Sequence, residues 1–145
     1  MPMQVVHEYV PCPESKLKLP ILRYLLKSEL KSASTKLDND KVFQAIVFVE
    51  SNSELYEGVA GVAEYLEKFV DEYNTKEDKK VGVEEEIQQL RLLGVSSLSD
   101  TMHIAERAEQ LEAFRAGKTS LLVCADFVSR GLDLPNTSTV IQMSL

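Results

Sequence analysis

Little in this chain favours a disulfide framework, a membrane span or a broad nucleic-acid coat. Cysteine is scarce: Cys12 and Cys124 are the only two among 145 residues. Two cysteines make neither a disulfide framework nor a zinc motif, which predicts a reduced, intracellular protein. No apolar run approaches the roughly 20 residues a membrane-spanning helix needs. Met1-Pro2-Met3-Gln4 lacks a basic stretch leading into an apolar one, so no secretory signal is read. Cations are outnumbered, 16 Lys and Arg against 23 Asp and Glu, for a formal charge of -7. Any nucleic-acid contact must therefore be local. The only histidines, His7 and His103, have no ligand spacing, so no metal site is expected. What remains, 44% hydrophobic and 27% charged residues, is the composition of one globular domain.

Periodicity sets the expected order of elements. Val5 to Val10 is rich in β-branched and aromatic residues and reads as a strand. Leu22, Leu25, Leu26 and Leu30 have helical spacing, with Pro20 near the first turn. Lys31 to Lys41 is polar and reads as a loop. Val42 to Val49 is nearly all apolar and suits a parallel strand covered on both faces. Ser51 and Glu54 have capping-box spacing and open a helix carrying Leu55, Val59, Val62, Leu66 and Phe69. Asp71 to Gln89 then holds seven acids and three lysines. We read a charged insertion or helix extension there, spanning 71–93 at its widest. Glu84-Glu85-Glu86 is read as a solvated helix face.

Val95 to Leu98 is a short strand. Ile104, Ala108, Leu111 and Phe114 form the next helical stripe, with Gly117 as its C-cap. Ser120 to Cys124 is a buried strand, a short turn or helix follows, and Thr139 to Met143 is a last strand. Alternation of this kind predicts an α/β fold: a mostly parallel sheet with helices on both faces. Ligands of such sheets meet the loops after the strand C-termini. Here those loops begin at Glu50, Ser99 and Ala125.

The chemistry-bearing segment is Cys124 to Pro135, which packs Asp126, Arg130, Gly131 and Asp133 into one connection. A structural reading, in which Asp126 caps a helix and Arg130 pairs with an acid, accounts for these charges as well as a functional one. Cys124 and Arg130 also have the spacing of cysteine-dependent phosphatases. Asp126 would place a negative charge inside that anion cradle, and no glycine lies between to allow close backbone approach. A cysteine ending an apolar strand is ordinarily an inert small hydrophobe.

Asp126-x-x-x-Arg130-Gly131-Leu132-Asp133-Leu134-Pro135 resembles motif V of DEAD-box RNA helicases. Ala45 to Ser51 resembles motif IV. Glu106-Arg107, followed by Leu111, Phe114, Arg115 and Gly117, resembles the motif IVa helix. Pro13 to Leu17 resembles the opening of the second RecA-like domain. The resemblance runs from about Val5 to Leu145. It implies a RecA-like three-layer fold and the C-terminal half of an ATP-dependent helicase, truncated before the arginine-rich motif VI. No G-x-x-x-x-G-K-[ST] phosphate loop or Asp-Glu-Ala-Asp is present; both belong to the first RecA-like domain.

By this resemblance Asp133 faces the ATP ribose, with Gly131 at a close backbone approach and Arg130 holding the loop. Ser51, Asn52, Ser99, Arg107, Ala125 and Asp126 are its RNA-side candidates. ATP and Mg²⁺ would be held mainly by the first domain. The implied partners are RNA and that domain, with no membrane, in a monomer. Its setting would be the nucleus, nucleolus or cytoplasm.

The chain also departs from the family. Ala125 replaces a threonine, Ser99-Asp100 replaces His-Gly, and Ile104 replaces the glutamine of Gln-x-x-Arg. Ser96-Ser97 and the charged insertion resemble the ribosome-assembly branch. From Arg91 to Pro135, five basic residues face six acidic ones, so no basic stripe marks an RNA face. Against an active helicase half stands a second expectation, a non-catalytic RecA-like interaction module.

Overall fold

In the computed structural model the residues described are 8–34, 43–50, 58–79, 92–99, 101–125 and 139–143. After a 3-10 turn at Ser15–Leu17, three helices follow in order: α1 Lys18–Ser34, α2 Gly58–Lys79 and α3 Ile104–Arg115. Four strands interleave with them: β1 Ala45–Val49, β2 Val95–Leu98, β3 Leu121–Ala125 and β4 Thr139–Gln142. They form one parallel sheet in the order β2-β3-β1-β4.

The period of two along the central strands divides the core. Ala45, Val47, Val49, Leu121, Val123 and Ala125 point to the side where α1 and α2 lie. Leu22, Leu26 and Leu30 of α1 and Val62, Leu66 and Phe69 of α2 close over them. Ile46, Leu122, Cys124 and Leu98 point the other way, toward Phe114 and Leu111 of α3. Helices on both faces give the three layers expected. With β1 and β3 sandwiched, their continuous apolar runs are explained: neither face meets water. A fully buried side chain such as Leu26 contributes about 1.5–3 kcal/mol of transfer free energy.

Local signals set the boundaries. Pro20 occupies the third position of α1, where a missing N–H costs no intrahelical bond. α1 continues to Ser34, past the predicted start of a loop at Lys31, because Lys and Ala are good helix formers. The end of α3 follows the sequence closely. Gly117 adopts φ +77°, its N–H donates to Phe114 O at 3.0 Å, and Lys118 N donates to Ala113 O at 2.9 Å. These paired bonds form a Schellman cap, and the left-handed residue is the glycine.

Three expectations need correction. Glu8 to Val10 form no strand and lie exposed, Tyr9 at 73%. Composition favours a strand only where a neighbouring edge supplies hydrogen bonds, and these residues have no such neighbour in the described sheet. β1 begins at Ala45 rather than Val42, although Phe43 and Gln44 are buried ahead of it. The predicted stripe on α3 is only half used: Phe114 is buried and Leu111 half-buried, but Ala108 is exposed and Ile104 is 85% exposed. Length accounts for Ile104: twelve helical residues span about 18 Å and four strand residues about 13 Å, so the first turn of α3 overhangs the sheet. Ala108 is exposed because the inward face runs through Arg107, Gln110, Leu111 and Phe114 instead.

The charged stretch is anchored at both ends. Tyr73 packs against the core and Leu92 lies inside it. Asn74 Nδ2 donates to Leu92 O at 2.8 Å, and Leu92 N donates to Asn74 Oδ1 at 3.1 Å. The capping pair Ser51 and Glu54, Leu55, and the short element after β3 lie outside the described residues.

Candidate functional site

Parallel register decides where the strands release their loops. Val49 is level with Ala125, and Leu98 with Cys124. The connections after β1, β2 and β3 therefore leave from one end of the sheet. Glu50 is exposed there, one residue past β1. The motif IV, IVa and V resemblances thus converge on a single edge, where ligands of open α/β sheets are met.

The connection after β2 is the part seen in detail. Met102 N closes a turn onto Ser99 O at 3.4 Å, and the hydroxyls of Ser99 and Thr101 share a hydrogen bond of 3.1 Å. Arg107 Nε donates to the same Ser99 carbonyl at 3.1 Å. Arg107 is half-buried, one turn into α3, on the part that overhangs the sheet. Anchoring through Nε fixes the plane of the guanidinium. His103 precedes the helix with no side-chain cap, while Glu106 in the first turn favours the positive end of the helix dipole. From the middle of α3, Gln110 Oε1 accepts from Ser97 N at 3.0 Å and ties the helix to the edge strand.

The predicted residues fare unequally. Ser99 and Arg107 are brought into direct contact. Ala125 closes β3 wholly buried in the α1–α2 core, backbone included, so it presents no surface to a ligand in this structure. Ser51, Asn52, Asp126, Arg130, Gly131 and Asp133 lie outside the described residues. Thr101 belongs to the Ser99-Asp100-Thr101 loop picked out in the sequence, but its hydroxyl was not singled out there. Its signal was available, a hydroxyl two places after Ser99 in a short loop, the spacing of local side-chain turns.

The phosphatase reading fails on geometry. Cys124 is wholly buried inside β3, its side chain in the cluster with Phe114 and Leu98, and its Sγ donates to Ala125 O at 3.4 Å. A thiol so placed cannot attack a phosphate ester in solution. Among the described residues no three of His, Cys, Asp or Glu converge as metal ligands.

Residues 22–145 match the model of the helicase conserved C-terminal domain. The chain belongs to that family. Its curated relatives include the ATP-dependent RNA helicase DRS1 of Phaeosphaeria nodorum, 49% identical over 49 residues, 34% of this chain and 6% of that protein. The ATP-dependent RNA helicase DBP10 of Yarrowia lipolytica is 45% identical over 65 residues, 43% of this chain and 7% of that protein. The matched part is thus a small fraction of each relative's length. Domain 2 of the DEAD-box helicase Mss116p, solved bound to an RNA duplex, superposes with a TM-score of 0.51 at 16% identity. That match covers 90% of this chain and 40% of the solved one. The helicase domain of Pyrococcus furiosus Hef gives 0.50 at 16% identity, covering 88% and 20%. At such identities the likeness is one of fold: this helicase C-terminal domain is RecA-like.

Proposed function

We propose that this domain works as the second RecA-like half of an ATP-dependent RNA helicase and is not catalytic alone. The observation that carries the reading is the Arg107–Ser99 anchor, set on the same sheet end from which the motif V segment departs. In this reading Arg107, Ser99, Ser51, Asn52 and Asp126 form an RNA-phosphate surface, beside the wholly buried Ala125. Asp133 accepts from the ATP ribose hydroxyl, Gly131 lets the backbone approach, and Arg130 holds the loop. The chemistry needs more than this half supplies. Phosphoryl transfer depends on a phosphate cradle, Mg²⁺ and a charge-stabilising arginine. The first RecA-like domain would bring the phosphate loop and the metal-holding acids, so ATP and RNA close two domains together and product release reopens them. We place the parent protein in the ribosome-assembly branch, working inside the cell as a monomer.

A second reading, the non-catalytic interaction module, draws on Ile104 standing exposed where the family has a glutamine and on the buried methyl of Ala125. One experiment separates them. The 145-residue chain should hydrolyse no ATP with or without RNA, and the parent protein carrying both domains should show RNA-stimulated ATPase. An inactive parent that still binds RNA supports the module. Hydrolysis by the isolated chain, surviving repurification, overturns the half-site reading.

A further inference from the structure

Charge on the α1–α2 layer is segregated. α2 exposes Glu64, Glu67, Asp71 and Glu72 against one described exposed lysine, Lys68, which pairs with Glu64 at 3.8 Å. α1 itself, by contrast, carries four basic residues, Lys18, Arg23, Lys27 and Lys31, against one acid, Glu29, in a chain whose formal charge is -7. Arg23 is committed inward: it bridges Glu72 at 2.8 Å and lies 5.8 Å from the Phe69 ring centroid. Tyr24, Lys27, Ser28 and Lys31 follow helical spacing of three and four, so they share one face of α1. All four are exposed, and the Tyr24 ring is 71% exposed.

This face is separate from the strand-end loops. Thr139, which opens β4, donates its hydroxyl to Glu29 at 3.4 Å. The turn holding Lys27 to Lys31 therefore lies at the opposite end of the sheet from Ser99 and Arg107. An exposed aromatic flanked by lysines on an otherwise acidic molecule combines the two elements of sequence-tolerant single-strand binding, a stacking platform and phosphate neutralisation. An acidic polypeptide would use the lysines but has no base to lay on the ring.

We propose that the Tyr24–Lys27–Lys31 face of α1 is a second contact surface for single-stranded RNA, engaging strand that extends beyond the loop-end site. The inference rests on the reading of the domain as RNA-binding.

The test is fluorescence anisotropy of labelled oligouridylate with the 145-residue chain at about 0.05 M salt, where weak phosphate binding is measurable. Lys27→Gln with Lys31→Gln should lower affinity at least about tenfold and flatten the salt dependence by about 1.4 in log–log slope. Tyr24→Ala should lower affinity about fivefold or more while leaving that slope unchanged. The control, Lys68→Gln with Lys118→Gln, removes the same charge from exposed sites elsewhere and should change affinity little. All these side chains lie at the surface, so thermal melts should match the parent chain. Wild-type binding by the α1 variants, or an equal loss in the control, overturns the proposal. If Arg107→Ala weakens binding and the α1 variants do not, the loop-end reading stands and this inference falls. If only the α1 variants weaken binding, the inference stands without the loop-end site. Absence of binding by the unaltered chain overturns both. Tighter capture of polyglutamate than of RNA, insensitive to Tyr24→Ala, assigns the face to an acidic protein and overturns the RNA proposal.

Discussion

At the N-terminal ends of the strands, Gln44 Nε2 donates to the carbonyls of Phe114 and Thr119, linking the start of β1 to the end of α3 and the entry of β3. Beside it Ser96 and Thr119 share a hydroxyl bond of 2.7 Å, and Ser120 Oγ accepts from Leu93 N at 2.7 Å. Ser120 N and Leu121 N both donate to Gly94 O. At the C-terminal ends Met143 N donates to Phe48 O at 3.0 Å across β4 and β1, and the described side-chain ties stay within one connection: Ser99 with Thr101 and Arg107. One end spends its polar groups on joining elements distant in sequence. The other carries Arg107 and Ser99, to which the proposed function assigns ligand contact, with the Thr101 hydroxyl bonded to that of Ser99. On that reading, stability and binding belong to opposite ends of the same strands.

That contrast can be broken by mutation. Gln44→Ala removes donors from two carbonyls, one deeply buried, and should destabilise the domain by about 2–4 kcal/mol, read from urea unfolding. A loss below about 1 kcal/mol would mean that the N-terminal end is not the stabilising one. Asp133→Ala, in the parent protein with both domains, should weaken ATP binding by about 1.5–3 kcal/mol while thermal unfolding stays unchanged; isothermal titration distinguishes this from unchanged affinity, which would remove Asp133 from the site. Arg107→Ala sharpens the comparison from the binding side. It should cost RNA affinity about tenfold, as one charge-assisted phosphate contact does, yet shift unfolding by less than about 1 kcal/mol. Equal and large effects on both would show the anchor to be structural. Gly117→Ala tests a cap at the stabilising end: a left-handed residue with an added Cβ costs about 1 kcal/mol, read as a small drop in melting temperature, although nothing lies within 4 Å of that Cβ.

Much of this was legible in the residues because period and burial agree. The apolar runs at Ala45–Val49 and Leu121–Ala125 are the two central strands, and Gly117 is the cap. Misreadings arose where geometry beyond the local pattern decides. Ile104 fits a helical stripe perfectly, but the stripe outruns the sheet it should cover. Val5 to Val10 has strand composition, yet its described part meets no edge. Of the site, Ser99 and Arg107 were named from motif positions, and their contact needed the fold: the sequence separates them by eight residues, and only the turn at Met102 folds the loop back to the helix. Gln44 drew no attention because a lone glutamine at a strand entry carries no pattern. Its partners lie 70 and 75 residues away.

The reciprocal amide pair between Asn74 and Leu92 has a consequence for how such a domain diversifies. It pins two points 18 residues apart, one on α2 and one just ahead of β2, both tied to the core. Whatever length of chain runs between them, the sheet sees the same two fixed ends. Closure entropy rises only by about 0.6 kcal/mol for each doubling of such a span. The stretch between is therefore a tolerant graft point. A reporter seated there should leave both ends of the sheet in register, checked by an unchanged melting temperature.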